Sequence, residues 1–327
     1  MSNSAHNSMV DKMLYLSKSD LKSLNITTDQ AIESLEFLIK QQTKSEVWTA
    51  PKTVVRPDHR YLMTTLSAAN EPNLMSVKSL ILNQKNPEKG LSAINSLITL
   101  LDGDTGVPKA VMDGNWVTAM RTACASAVAA RCMANRNSSV VAFIGCGVQA
   151  NSHLQAYSDL FPLSEIRAFG RGAHNRDALC ESAISKGLKA VACDSPEQAV
   201  AGADLIVTSI PMTIEVDPFI DCNWLKPGAF VSSTDMGLPF MTKTLSVLDR
   251  IIIDDFEQER SMPNPMAPTE LISGDITSLV TGNSVGRGSE NERTMFLFRA
   301  VVLGDLALSA LAYQTAIEKS IGTVLSL

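Results

Sequence analysis

The chain has 327 residues, 45% of them hydrophobic, and a formal net charge of −6 at pH 7. That length exceeds one ordinary domain and supports two cores. The composition excludes a disordered chain, and the acidic balance excludes a nucleic-acid partner, which would need a basic face.

No apolar stretch approaches the length of a membrane span, and the opening "MSNSAHNSMVDK" lacks the apolar core of a signal peptide. A cytoplasmic protein without a membrane partner is therefore expected. The six cysteines, at 124, 132, 146, 180, 193 and 222, form no CxxC pair and read as free thiols. The four histidines, His6, His59, His153 and His174, are scattered, so no metal site is expected.

"SKSDLKSLNITTDQAIESLEFLIKQQ" predicts a capped segment and then an amphipathic helix, with Ile32, Leu35, Leu38 and Ile39 on one stripe. "KTVVRPDHRYLMTTLSA", "LMSVKSLIL" and "INSLITLLDGDTGVPKAVMDG" predict antiparallel or mixed strands, with a hairpin turn at "DGDTG". "TAMRTACASAVAARCMA" (118–134) predicts a helix of small residues that links two parts of the chain.

From residue 138 the pattern changes. Six short apolar runs alternate with helical stretches: "VVAFIG" (140–145), "EIRAFG" (165–170), "KAVACD" (189–194), "DLIVTSI" (204–210), "AFVSSTD" (229–235) and "DRIIIDD" (249–255). This rhythm predicts a parallel sheet covered on both faces. The tail "FLFRAVVLGDLALSALAYQTAIEKS" reads as one apolar helix that returns to the first domain.

The glycine-rich turn "IGCGVQA" follows a predicted strand and opens a predicted helix, the context of a dinucleotide cradle. Gly145 permits the tight turn, Gly147 lets the backbone approach a pyrophosphate, and Ala150 packs where a third glycine is usual. Val148 and Gln149 lie between them at the helix start. An NAD site usually ends its second strand with Asp or Glu. Here Gly170 stands in that place, followed by Arg171, His174 and Arg176. Two guanidinium groups and no acid favour NADP(H), with NAD(H) as the alternative.

The residues also bear on the substrate. A hydroxy-acid dehydrogenase needs a general acid such as His, and only His59 falls in the first domain outside the N-terminal tail. A protonated imine needs less help, chiefly a nearby carboxylate and cations for the substrate's own carboxylate. Asp235 closes the strand "AFVSSTD" and is the candidate carboxylate. Thr208, Ser209 and Thr234 sit at the same strand ends and join the cofactor set. The candidate cations are Lys52, Arg56, Arg60, Lys78 and Arg121. Lys78 is the most telling, because it interrupts an apolar run and shares a strand face with Ser76 and Leu80.

"DGDTGVPKAVMDG" followed by "MRTA", with "APKT", "VKSLILNQKNPEKGL", "IGCGVQA", "WLKPGAF" and "TGNSVGRG", resembles the ornithine cyclodeaminase/mu-crystallin family of NAD(P)-dependent enzymes over nearly the whole chain. The resemblance implies a Rossmann-type doubly wound parallel sheet inserted in a discontinuous α+β domain for substrate binding and dimerisation. The expected division is 1–118 and 296–327 for that domain, and 119–295 for the cofactor domain. The resemblance also implies a homodimer.

By position it implies that Lys52, Lys78 and Arg121 hold the substrate carboxylate and that Asp235 is catalytic. Cyclodeaminases carry a Glu two residues before the Met of a Met-Pro motif. "RYLMTTL" has Tyr61 there and no proline, so a second amino group lacks its partner. Leu297 and Phe298 replace the family's usual Lys and Ser. The reading is an NAD(P)H-dependent reductase of a small cyclic imino acid. An amino-acid cyclodeaminase and a non-catalytic NADPH-dependent ligand binder remain the alternatives.

Overall fold

The computed structural model describes residues 12–58, 60–211 and 216–327. His6 and His59 lie outside the described residues. The chain divides into two compact units: Met1–Arg121 with Val302–Leu327, and Thr122–Val301.

In the first unit, β1 (Lys12–Leu16) leads to the helices α1 (Lys18–Ser23) and α2 (Thr28–Gln42). Strands β2 (Val47–Thr49), β3 (Thr53–Val55), β4 (Arg60–Ala69), β5 (Leu74–Asn83), β6 (Ile94–Asp102) and β7 (Pro108–Asp113) follow, before α3 (Gly114–Met133), which runs on into the second unit. Thr27 caps α2 in a reciprocal pair with Gln30, which satisfies two otherwise orphan backbone donors. Strands β4, β5, β6 and β7 form an antiparallel meander, and β1 pairs with β7 in parallel. Strict alternation sorts β4 into an inner row of Met63, Thr65, Ser67 and Ala69 and an outer row of Arg60, Leu62 and Leu66. Lys78 lies directly across from Thr65 in the β4–β5 register. On β5 it shares the buried row of Ser76 and Leu80.

In the second unit, β8 (Val140–Ile144), α4 (Val148–Leu160), β9 (Glu165–Phe169), α5 (Ala173–Ser185), β10 (Lys189–Ala192), α6 (Pro196–Val200) and β11 (Leu205–Thr208) alternate in the predicted rhythm. They are followed by β12 (Phe230–Ser233), β13 (Arg250–Ile253), α7 (Phe256–Arg260), β14 (Ile272–Asp275), α8 (Ile276–Val280) and β15 (Thr294–Leu297). All eight strands are parallel, in the order β10-β9-β8-β11-β12-β15-β13-β14. The chain winds outward from β8 through β9 and β10, then crosses back to β11 on the other side. The crevice between β8 and β11 is therefore the topological switch point, where such sheets bind ligands.

The tail departs from expectation. Phe296 and Leu297, which open the expected tail helix, belong instead to a strand: Thr294–Leu297 is fully buried between β12 and β13. The helix α9 (Leu303–Lys319) begins only after it and belongs with the first unit, followed by β16 (Thr323–Ser326) on the edge of β1. There α9 packs against α2 and against β4, β5 and β6. A four-residue apolar run next to an apolar helix carries no period that separates the two. Leu297 and Phe298 are buried apolar residues at the end of this strand.

All six cysteines are free. No helix among the described residues is long and apolar enough to cross a membrane.

Candidate active site

The cradle forms at the end of β8. Gly145 has φ of +92°, and a Cβ there would stand 2.6 Å from the carbonyl oxygen of Ser209, so only glycine fits. Its N–H donates to the Phe169 carbonyl at 2.9 Å, tying the turn to β9. Gly147 is the N-cap of α4 and has no side chain to bond the first-turn N–H groups, while the space beside its Cα is open. Those N–H groups and the helix dipole make an anion-binding end. Val148 is 70% exposed there, and Ala150 is fully buried against the rest of the unit. These residues fit a dinucleotide pyrophosphate.

A buried chain of hydrogen bonds braces this turn. His153 Nδ1 lies 2.8 Å from the Gln149 carbonyl, and its Nε2 lies 2.8 Å from Ser126 Oγ. A carbonyl only accepts, so Nδ1 carries the proton and Nε2 accepts from Ser126. Ser126 in turn accepts from Ser232. Burial pushes the His153 pKa down to about 4. Between pH 6.5 and 4 the unfolded chain therefore binds the extra proton and the native state does not. His153 is expected to remove roughly 3 kcal/mol of stability as pH falls through that window. Unfolding midpoints across that range check this, since His153→Gln should flatten the slope.

At the end of β9, Gly170 leaves room for Cys146. A Cβ on Gly170 would lie 3.2 Å from the Cys146 sulfur. Arg171 and His174 are exposed. Arg176 forms an ion pair with its neighbour Asp177 at 3.0 Å, so one of the two predicted phosphate cations already has a carboxylate partner.

Asp235 sits at the switch-point edge, and it is wholly buried. Its Oδ1 accepts from Thr208 Oγ1 at 2.7 Å and from Ser233 Oγ at 2.5 Å, and its Oδ2 accepts from the Ile210 N–H at 2.9 Å. Desolvation pushes its pKa upward, while these three donors pull it back. The carboxylate thus holds the ends of β11 and β12 together. The Thr208 hydroxyl is committed to Asp235, and that of Thr234 donates to the Thr208 carbonyl at 3.0 Å. Ser209 Oγ donates to the Gly145 carbonyl at 3.2 Å and so bridges the two strands that flank the switch point.

In the first unit two of the predicted cations, Lys78 and Arg121, meet on one carboxylate. Lys78 is fully buried, and its Nζ donates to Asp305 Oδ1 at 2.9 Å. Arg121 Nε lies 3.3 Å from the same oxygen, and Thr65 Oγ1 donates to Asp305 Oδ2 at 3.1 Å. Burial lowers the Lys78 pKa to about 8, partly offset by Asp305. Lys52 lies just before β3, whose first residue Thr53 pairs with Thr64, the neighbour of Thr65.

Arg60 does not join this group. It lies on the outer row of β4, five residues or roughly 16 Å from Thr65, beside Asp58 at 3.5 Å. Tyr61 is half-buried and carries the Arg56 guanidinium 5.5 Å from its ring centroid.

Asp305 is the residue that sequence reasoning missed. Its one signal was a carboxylate in the first turn of an otherwise apolar helix.

The profile of the ornithine cyclodeaminase/mu-crystallin family matches residues 11–320. The chain belongs to the ornithine cyclodeaminase/mu-crystallin family. Alanine dehydrogenase of Archaeoglobus fulgidus is 26% identical to this member over 95% of this chain and 97% of its own. Ketimine reductase mu-crystallin of Rattus norvegicus is 32% identical over 54% of each chain. Among solved structures, the Delta(1)-pyrroline-2-carboxylate reductase of Thermococcus litoralis, in complex with NADH and L-proline, superposes with a TM-score of 0.85. It is 24% identical and covers 95% of this chain and 99% of its own. That likeness establishes the fold. The dehydrogenase and reductase relatives place this family member among the oxidoreductases.

Proposed function

We propose that the protein is an NAD(P)H-dependent reductase of a small cyclic imino acid, 1-pyrroline-2-carboxylate or 1-piperideine-2-carboxylate, forming proline or pipecolate. The observation that carries this reading is the fully buried Lys78 beside Asp305 and Arg121. A lysine is buried at this cost only with a charged partner, and here one carboxylate faces two cations. Lys52, Lys78 and Arg121 hold the substrate carboxylate, and Arg60 is left out because it faces outward. A bound dinucleotide would supply the hydride. Gly145, Gly147, Val148, Gln149 and Ala150 seat its pyrophosphate, and Ser209 keeps the turn in place. Asp235 places a negative charge behind the end of β11, which favours the protonated imine. Tyr61 stands in place of the acid that a diamine needs, which counts against ornithine cyclisation. The ketimine reductase relative supports the same reading.

Absorbance of NADPH on adding each imino acid tests it. Oxidation at substrate-dependent rates is expected. Ammonia release from ornithine or lysine without net cofactor change, or tight NADPH binding without turnover, overturns it.

We further propose that NADP(H) is the preferred cofactor, through Arg171. Arg171→Ala should weaken NADPH more than NADH by about 1.5–3 kcal/mol, the value of one charge-assisted phosphate bond. Dissociation constants for both cofactors decide this, and equal losses would remove the assignment.

A homodimer is also proposed. The outer row of the first sheet exposes Leu62, Leu66, Met75, Ile81 and Leu97, a contiguous apolar face. Light scattering at micromolar concentration should give two chains, and Ile81→Glu should give one. A monomeric wild-type protein would count against it.

A further inference from the structure

We propose that Asp305 is a positioning residue for substrate binding, holding Lys78 and Arg121 on one carboxylate so that the lysine stays charged and aimed. This rests on the carboxylate-binding role given to Lys78 above.

Four observations carry it. Lys78, Thr65, Arg121 and Asp305 are each at most 6% exposed, yet they come from four elements, β5, β4, α3 and α9. Their separations in sequence leave them no local reason to meet. Asp305 uses both oxygens: Oδ1 faces Lys78 at 2.9 Å and Arg121 at 3.3 Å, and Oδ2 is fixed by Thr65 at 3.1 Å. The carboxylate therefore cannot swing away when a second anion enters. The residue before it is Gly304, where an added Cβ would press on Arg121 Cβ at 3.2 Å and Cδ at 3.3 Å. Gly-Asp at the start of α9 thus lets the arginine lie against the helix and places a carboxylate at its headgroup.

The arrangement has a pH consequence. The charged groups that face Lys78 are Asp305 from α9 and Arg121 from α3, of opposite effect. From its flanking strands it meets Thr65 of β4 and Ile98 of β6 in register, neither of which titrates. Burial brings the lysine to about 8, and Asp305 keeps it from falling further. Substrate carboxylate pairs with the protonated amine, so affinity is present below that value and is lost as pH rises through it.

The test is the pH profile of kcat/KM, together with the affinity of pyrrole-2-carboxylate, a planar anion of the proposed substrate's shape. Wild-type enzyme should lose both above about pH 8. In Asp305→Asn the amide keeps the shape and removes the charge. The falling limb should move to lower pH by about one to three pH units, as expected when a close opposite charge is removed. KM should rise at least tenfold at pH 7.5 while NADPH affinity stays constant. Lys78→Arg carries a charge that does not titrate in this range, so its limb should vanish. If Asp305→Asn does not fold, Asp305→Glu keeps the charge one methylene further out and should shift the limb in the same direction by less.

A variant that only weakens the fold would lower activity without moving the limb, and an unmoved limb overturns the proposal while the reductase reading stands. If no imino acid is reduced but pyrrole-2-carboxylate binding shows the limb and its shift, the reductase reading fails and the role of Asp305 stands.

Discussion

Lys78→Met is expected to leave NADPH binding unchanged and to raise the KM for imino acid by roughly 30- to 1,000-fold, or about 2–4 kcal/mol. Methionine matches the length of the lysine stem and keeps the row of Ser76 and Leu80 filled. What disappears is the ammonium, and with it the partner of a substrate carboxylate that has given up its water. Asp305 retains Arg121 at 3.3 Å and Thr65 at 3.1 Å, so it is not left alone. The variant should therefore fold, which a melting curve checks. Initial rates across imino-acid concentration decide the rest, and an unchanged KM removes Lys78 from the substrate site.

Asp235→Asn is expected to act on turnover. The Ile210 N–H requires an acceptor, which the amide oxygen supplies. The Thr208 and Ser233 hydroxyls can turn round to accept from the amide nitrogen. The fold should survive at a cost of about 1–3 kcal/mol. The negative charge behind β11 does not survive, and in a low-dielectric site a buried charge acts strongly on whether the bound imine is protonated and so reactive toward hydride. A fall in kcat of about 10²- to 10³-fold, with a smaller change in KM, is the expected result. Single-turnover rates at saturating NADPH measure it directly. Wild-type turnover in this variant would reduce Asp235 to a clasp between two strands and leave the family membership untouched.

Both effects depend on features that differ in how far the linear chain reveals them. The six apolar runs from Val140 to Ile253 were legible because each is short, bounded by turn residues and separated from the next by a crossover segment. That pattern is local and periodic. The cradle was legible for the same reason, since Gly145, Gly147 and Ala150 lie within one turn and each has a steric task there. Lys78 was visible as a charge in an apolar strand, because alternation assigns its face without any knowledge of the fold.

The limits appear where neighbours are distant in sequence. Thr294–Leu297 slots between β12 and β13 through parallel pairing with strands more than forty residues away, and nothing in "TMFL" itself distinguishes strand from helix. Arg60 and Lys78 read alike as cations of one domain. The hairpin register then puts Arg60 on the outer row and Lys78 on the inner one, and a shift of one residue would have exchanged the two faces. Thr208 and Thr234 stood at the right strand ends, yet the Thr208 hydroxyl is taken by the buried Asp235, which requires donors from its own unit, and that of Thr234 by the Thr208 carbonyl.

Asp305 is the sharpest case. By itself it is an acid near the start of a helix, a common and ordinary place for one. Local chemistry along the chain determined the sheet, the cradle and the family. Only the packing of α9 against β4 and β5, 227 residues from Lys78, made that acid the shared partner of a buried lysine and arginine. Residue type and spacing determine what a segment forms, whereas long-range packing decides which charges must be buried together.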